Sequence, residues 1–278
     1  MVAAAAAIAL TACSSGGGGA ASTGAASGGS FSTVNKGVLT VSPYSASPPV
    51  ITISPDGKLG GLIGDLINGF ADQNHLTVQI TQTTFASSLL YVQQGRSDMT
   101  PFIYHTDDRA KTVYYTASQF QLPVAAITKN SFAFNGPDSL KGKKIAAVLG
   151  EVWGPYFQKE YGDNVKLYQK DADAAQSLLN GQSDAYINSS LQLLNPPLSS
   201  QKDLIANPLK AGDAGMPAEI ITNVAYNVVS CKNKGLATAF DTYIQGLATS
   251  GQLKQLYEKN GLPANFRITN PTAPSQGC

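Results

Sequence analysis

Along this chain the apolar positions switch between a period of two and a period near 3.6 several times. Val38-Leu39-Thr40-Val41 predicts a short strand. A proline-rich loop with Pro43, Pro48 and Pro49 follows, and Ser54-Pro55-Asp56-Gly57 carries turn chemistry. Leu62, Ile63, Leu66, Ile67, Phe70 and Ala71 then recur at helical spacing after Gly60-Gly61. Leu76 to Thr81 alternates as a strand, Ser87 to Gln94 fits a short helix stopped by Gly95, and Asp98 to Tyr104 reads as another strand. The order β-α-β-α-β belongs to an open α/β sheet with parallel strands.

Val124 to Thr128 predicts a strand leaving this unit, and a linker from Asn130 to Leu140 follows. The pattern then restarts. Lys144 to Leu149 is a strand, Val152 to Tyr161 a helix, Val165 to Tyr168 a strand, Ala172 to Leu179 a helix and Asp184 to Asn188 a strand. Two units of similar order imply two lobes, although no internal sequence repeat matches them. Ala225 to Val229 predicts a late strand, and Leu236, Phe240, Tyr243, Ile244 and Leu247 form a helical stripe. Leu253, Leu256 and Tyr257 continue in a second helix that ends at Gly261 and Pro263. From Phe266 the chain is polar and proline-rich, the pattern of an extended tail.

The first residues change this picture from a free body to a tethered one. Val2 to Ala12 is an unbroken run of small and apolar residues, long enough for a signal-peptide core and short of the roughly 20 needed to span a bilayer. It ends in Leu10-Thr11-Ala12-Cys13, which resembles the bacterial lipobox, whose cysteine is lipidated. No Lys or Arg precedes the run, so the expected true start differs from Met1. Ser14 to Ser30 is almost wholly Gly, Ala, Ser and Thr, a composition that buries too little apolar surface to fold and serves as a tether.

Charge is sparse. Asp, Glu, Lys and Arg make up 13% of the 278 residues and the net charge is +1, against about 25% charged residues in an ordinary domain. Nucleic-acid binding therefore has no electrostatic support. With Cys13 lipidated, Cys231 and Cys278 remain as a pair, and an exported protein is expected to join them in a disulfide. The alternative is two free buried thiols, which the polar setting of Cys278 disfavours. No Cys-x-x-Cys or His cluster points to a metal, and nothing calls for a cofactor.

Six segments together resemble family 3 of the solute-binding proteins of ABC importers. They are Gly37 to Val41; Asp56 to Gly61 with Asp65-Leu66; Gly95 to Met99; Thr106 to Lys111 leading to Tyr115-Thr116; Leu140 to Ile145; and Gly251 to Gly261. The resemblance spans about Lys36 to Pro263. It implies a two-lobed α/β fold of the periplasmic-binding-protein type II class, with a ligand cleft between the lobes that closes by a hinge motion. The expected division is residues 1–12 signal peptide, 13–35 tether, 36–121 and 227–264 lobe 1, 122–226 lobe 2, and 265–278 tail.

The same resemblance places Arg109 where the family grips the ligand's carboxylate, a task suited to a guanidinium fork. The alternative is a surface pair with Asp107 or Asp108. Phe102 and Tyr104 stand where the family often has small residues. Tyr44 aligns with a common acidic residue, Ser47 with a common aromatic, and Phe85 with an aromatic wall position. The lobe 2 loop that often reads Gly-Thr-Thr is here Gly150-Glu151-Val152-Trp153. The aspartate that usually holds the α-ammonium aligns with Ser189, beside Asn188. The usual acidic clamp is therefore missing, and Glu151 is the candidate countercharge in an aromatic-rich cleft. Trp153 fits core packing as well as ligand contact. Asp65 and Asp98 read as structural, and His75 and His105 as loop residues.

The expected function is an extracytoplasmic receptor, anchored to the outer face of a bacterial membrane by lipidated Cys13. It would act as a monomer that captures a small carboxylate-bearing solute, an amino acid or an aromatic or cationic derivative, for an ABC permease. A dehydratase-like cleft enzyme and a sensory binding protein are the alternatives. Against an enzyme, no nucleophile–base pair has recognisable spacing.

Overall fold

The computed structural model describes residues 31–221 and 224–278. The apolar run Val2 to Ala12, Cys13 and the Ser14 to Ser30 tether lie outside the described residues.

The chain opens with β1 (Val38–Val41), a small hairpin of β2 (Thr52–Ile53) and β3 (Leu59–Gly60), and α1 (Gly61–Gln73). Then come β4 (Thr77–Ile80), α2 (Phe85–Gln93), β5 (Met99–Tyr104), the one-turn α3 (Asp107–Ala110), β6 (Val113–Tyr115) and β7 (Phe120–Gln121). The second unit holds β8 (Val124–Lys129), β9 (Ile145–Val148), α4 (Gly154–Tyr161), β10 (Val165–Tyr168), α5 (Asp171–Leu179), β11 (Ala185–Ser189) and β12 (Leu204–Pro208). After α6 (Ala218–Ile221), β13 (Val224–Ser230) leads into α7 (Lys234–Thr249) and α8 (Gln252–Lys259).

Two sheets result. The first runs β4-β1-β5-β13-β6, with β7 also on β13; the second runs β10-β9-β11-β8-β12. In the first, β1 is parallel to β4 and β5, as the β-α-β-α-β pattern predicts. In the second, β9 is parallel to β10 and β11. Both sheets are nonetheless mixed. β13 enters the first antiparallel to β5, and β8 lies antiparallel to β11 and β12 in the second. A parallel neighbour needs a helical crossover, whereas strands arriving directly from the other unit can pair in the opposite sense.

The predicted apolar faces are the buried ones. Leu62, Ile63, Leu66, Ile67 and Phe70 of α1 pack inward with Leu236, Phe240 and Ile244 of α7. Phe70 and Phe240 meet edge to face at 5.1 Å. Side chains of this size contribute about 1.5–3 kcal/mol each when fully buried. β5 and β11 are buried along their whole length, as central strands covered on both faces must be. Asp98 closes the start of β5, accepting from Val34 N at 2.6 Å and Thr40 N at 2.7 Å. Asp65 ties α1 to α8 through Lys259 at 2.8 Å and Asn260 at 2.7 Å.

Two local departures shape the cleft. α4 begins at Gly154, not at Val152, because Pro155 suits a first helical turn. Val152 and Trp153 therefore sit in the preceding turn, with Trp153 wholly buried. On β5, Pro101 has no N–H to give the ladder. There Pro101 and Phe102 oppose the single residue Asn227 of β13, and Phe102 takes φ of 67°. This bulge re-aims the end of β5, where Phe102 and Tyr104 stand.

The extended tail is not loose. It folds back along α3 and β6, and Cys231 and Cys278 form a disulfide with an S–S distance of 2.05 Å.

Candidate functional site

A cavity of 610 Å³ opens between the two sheets, within the usual range for small-molecule sites. One wall comes from the loops after β1 and β4, with Tyr44, Thr83 and Phe85. The other comes from the second unit, with Asp171, Gln192 and Asn195. The walls touch in places. Asn195 Nδ2 donates to Ser47 Oγ at 3.3 Å, and Arg109 Nη2 donates to Gly150 O. Gly150 has φ of 91°, and a Cβ there would stand 2.8 Å from Phe85 Cδ1, so the ring closes directly over the glycine backbone.

Arg109 sits at the start of this contact. Thr106 caps α3 by accepting from Arg109 N at 3.2 Å. The guanidinium reaches over the Phe85 ring, 5.0 Å from its centroid, and Nη1 donates to Tyr104 O at 3.0 Å. Asp108 pairs with Lys111 at 2.7 Å instead. Arg109 thus bridges the two faces through backbone carbonyls and is not among the cavity-lining residues.

The aromatic candidates form one layer beside the cavity. Tyr44 meets Phe85 edge to face at 4.9 Å and Phe102 at 6.1 Å, and its hydroxyl donates to Phe102 O at 3.0 Å. Tyr104 lies 6.1 Å from Phe102 and 5.4 Å from Trp153. Of the five, Tyr44 and Phe85 line the cavity; Phe102, Tyr104 and Trp153 are buried behind. Val152 is buried next to Trp153. Burial, with the charge of Glu151 next in effect, holds the Tyr44 and Tyr104 hydroxyls well above their ordinary range, so both stay neutral donors.

Glu151 is 4% exposed, and its Oε2 has no hydrogen-bond partner; Trp153 Nε1 is also buried without one. Burial, reinforced by the charge of Asp171 and opposed by Arg109, pushes the Glu151 carboxyl up to about 8. It is therefore largely protonated at neutral pH.

The acid that faces the cavity is Asp171, at the first turn of α5. Its Oδ1 accepts from Tyr186 Oη at 2.9 Å, Asn188 Nδ2 at 2.9 Å and Gln192 Nε2 at 3.3 Å. Burial raises its pKa, and the bonds from Tyr186 and Asn188 oppose that rise. Three donors on one oxygen fix the carboxyl's orientation. Asn188 and Ser189 consequently have supporting positions. Asn188 donates to Asp171, while Ser189 Oγ accepts from Leu191 N at 3.1 Å and caps the turn after β11.

The sequence reading missed Asp171, Gln192 and Asn195. An aspartate in a helix's first turn ordinarily signals a favourable helix end. Only the spatial return of β11 beside α5 brings Tyr186 and Asn188 to it. Among the described residues no group of three His, Cys, Asp or Glu could hold a metal ion, and no helix is long and apolar enough to cross a membrane.

Residues 39–262 match the family described as bacterial extracellular solute-binding proteins, family 3. The chain belongs to that family. Its relatives carry consistent descriptions. An L-arginine-binding protein of Pseudomonas aeruginosa is 24% identical over 220 residues, covering 77% of this chain and 84% of the relative. A probable amino-acid-binding protein of Bacillus subtilis, YxeM, is 26% identical over 238 residues, 84% of this chain and 87% of the relative. A crystal structure of the substrate-binding protein of an amino acid ABC transporter superposes with a TM-score of 0.71 at 23% identity, covering 81% of this chain and 99% of the other. In this family 3 protein the type II periplasmic-binding fold accounts for the pair of mixed sheets with a cleft between them, the expected place for a ligand in open α/β sheets.

Proposed function

We propose that this protein is the receptor of an ABC importer and captures a small zwitterionic or cationic solute of the amino-acid class. The observation that carries the reading is Asp171. A carboxyl held by three donors on a cavity wall is a preorganised acceptor for an ammonium or guanidinium group. Arg109 supplies the opposite pole. Its Nη2 is engaged by Gly150 O across the faces, and opening the cleft would release that donor to a solute carboxylate. Tyr44 and Phe85 would flank the ligand through their faces. Glu151 Oε2 and Trp153 Nε1, buried without partners, are polar atoms that a ligand group or water would satisfy. The relatives, an arginine-binding and a probable amino-acid-binding protein, support the same ligand class.

In this reading the sheet of β4-β1-β5-β13-β6 and that of β10-β9-β11-β8-β12 are the two lobes; the return to lobe 1, expected near residue 227, falls at the start of β13, because Val224, Ala225 and Tyr226 already pair within the first sheet. Lipidated Cys13 anchors the monomer outside the membrane, where the permease receives its solute. Glu151, buried beside the cavity rather than lining it, has a carboxyl pushed up to about 8 that also suits proton transfer, which is the one feature favouring an enzyme. Calorimetry with the twenty amino acids, followed by product analysis of any that bind, tests both readings. Saturable one-site binding without turnover is expected. Conversion of the bound solute would replace the receptor with an enzyme, and absence of binding by any amino acid would remove the ligand class.

A further inference from the structure

The chain's last residues, Thr272 to Cys278, run as a strap across the stretch that carries Arg109. Ser118 N donates to Thr272 O at 3.0 Å, and Thr272 N donates back to Ser118 Oγ at 3.0 Å. His105 Nε2 lies 3.0 Å from Ser275 O. Gln276 Oε1 accepts from Tyr115 N at 2.9 Å while its Nε2 donates to Tyr115 O at 3.0 Å. Gly277 N donates to Ala110 O at 3.1 Å. A Cβ on Gly277 would meet Ala110 C and O at 2.9 Å, so only glycine lets the strap lie this close to α3.

These bonds all end between His105 and Ser118, on both sides of Arg109. β6 is the edge of its sheet, and the Gln276 amide pairs with the main chain of Tyr115 as a neighbouring strand would. Tyr115 then donates its hydroxyl to Tyr104 O at 2.9 Å, the same carbonyl that accepts Arg109 Nη1 at 3.0 Å. The strap and the guanidinium thus converge on one backbone oxygen. The Cys231–Cys278 disulfide, with Cys231 just after β13, locks the strap's far end to the first sheet.

We propose that this disulfide-closed strap is a positioning brace for Arg109, so that solute affinity depends on the redox state of Cys231 and Cys278. The inference rests on Arg109 as the carboxylate-binding residue. α3 has a single turn and one side-chain cap, too little to fix a long side chain without outside support. Removing the strap frees the Tyr115 main chain and lets the guanidinium sample more orientations, and that lost preorganisation weakens binding. An external dithiol attacks one sulfur through its thiolate and breaks the Cys231–Cys278 bond; it is itself oxidised to a disulfide, leaving two protein thiols. Cys278 is exposed, so a reductant can reach it.

Hydrogen exchange on the full chain reads the brace without any solute. Dithiothreitol treatment and Gln276→Ala are each expected to speed exchange of amides 105–118 about tenfold or more, with the second sheet unchanged. Calorimetry with L-arginine reads the consequence: affinity falls about five- to tenfold in both cases. Gln276→Ala keeps the cross-link, so its loss of affinity is expected with little change in melting temperature. Unchanged exchange over 105–118 overturns the brace. Faster exchange with unchanged affinity overturns its role in binding. If the oxidised wild type binds no L-arginine, the same titration uses whichever of the twenty amino acids it does bind; binding of none contradicts the solute reading, and the exchange result then decides the brace alone.

Discussion

In the proposed site three ionisable side chains would carry the chemistry, and each makes a separate prediction. Asp171 is held by Tyr186, Asn188 and Gln192 on one oxygen, so Asp171→Asn should preserve the fold while removing the charge. A charge-assisted hydrogen bond is worth about 2 kcal/mol, so solute affinity should fall roughly thirtyfold by calorimetry. Arg109→Ala should abolish solute-induced thermal stabilisation while the solute-free protein still melts cooperatively; undiminished stabilisation would remove Arg109 from the site. Glu151 acts on stability. Its ordinary value is 4.5, and burial lifts it to about 8. Between those values the folded protein holds a proton that the unfolded chain has released. Stability from this group is therefore greatest below about 4.5, declines as pH rises toward about 8, and levels off above. Asp241, pushed up to about 6 mainly by burial, shifts in the same direction, so the comparison must be with Glu151→Gln. That variant should melt a few degrees above wild type at pH 8.5 and gain no such advantage at pH 4.5. A gap independent of pH would mean that Glu151 does not ionise in a buried site.

At the scale of elements, the contact between Phe85 of α2 and Gly150 after β9 sets how closely the faces meet. Gly150→Ala adds a Cβ 2.8 Å from Phe85 Cδ1 at a backbone φ of 91°. It should cost about 1–3 kcal/mol of stability through backbone strain and weaken solute binding by wedging the faces apart. Denaturant melts and calorimetry on one sample would check both. The elements themselves were largely legible. β1, β9, β10 and β11 appear where alternation or an apolar run predicts them, and α1 and α7 bury the stripes their spacing defines. β12 was not legible, because Leu204–Pro208 is a half-exposed edge strand ending in Asn-Pro, with no apolar alternation. The bulge at Phe102 was not legible either, since it depends on which residue of β13 lies opposite Pro101. The site divides the same way. Tyr44 and Phe85 could be placed by resemblance, and both line the cavity. Asp171 could not, because its role comes from β11 returning beside α5. The ammonium clamp that Ser189 cannot supply therefore has a proposed replacement one element away, in Asp171.

At the scale of the whole molecule, membership in family 3 and the two mixed sheets describe a receptor body, and the proposed lipid anchor at Cys13 makes a prediction of its own. Cys13→Ser should release the protein from the membrane fraction into the medium, read by immunoblot of both, with solute affinity unchanged because residues 31–278 carry the cleft. Membrane retention of that variant would contradict the anchor. In the proposed function the cleft grips a solute between Asp171 and Arg109. The most direct test is calorimetric titration of L-arginine and the other amino acids into wild-type protein, Asp171→Asn and Arg109→Ala. Wild type is expected to bind at least one amino acid saturably at one site, and both variants to bind it severely more weakly. Binding of equal strength in all three proteins would contradict that grip.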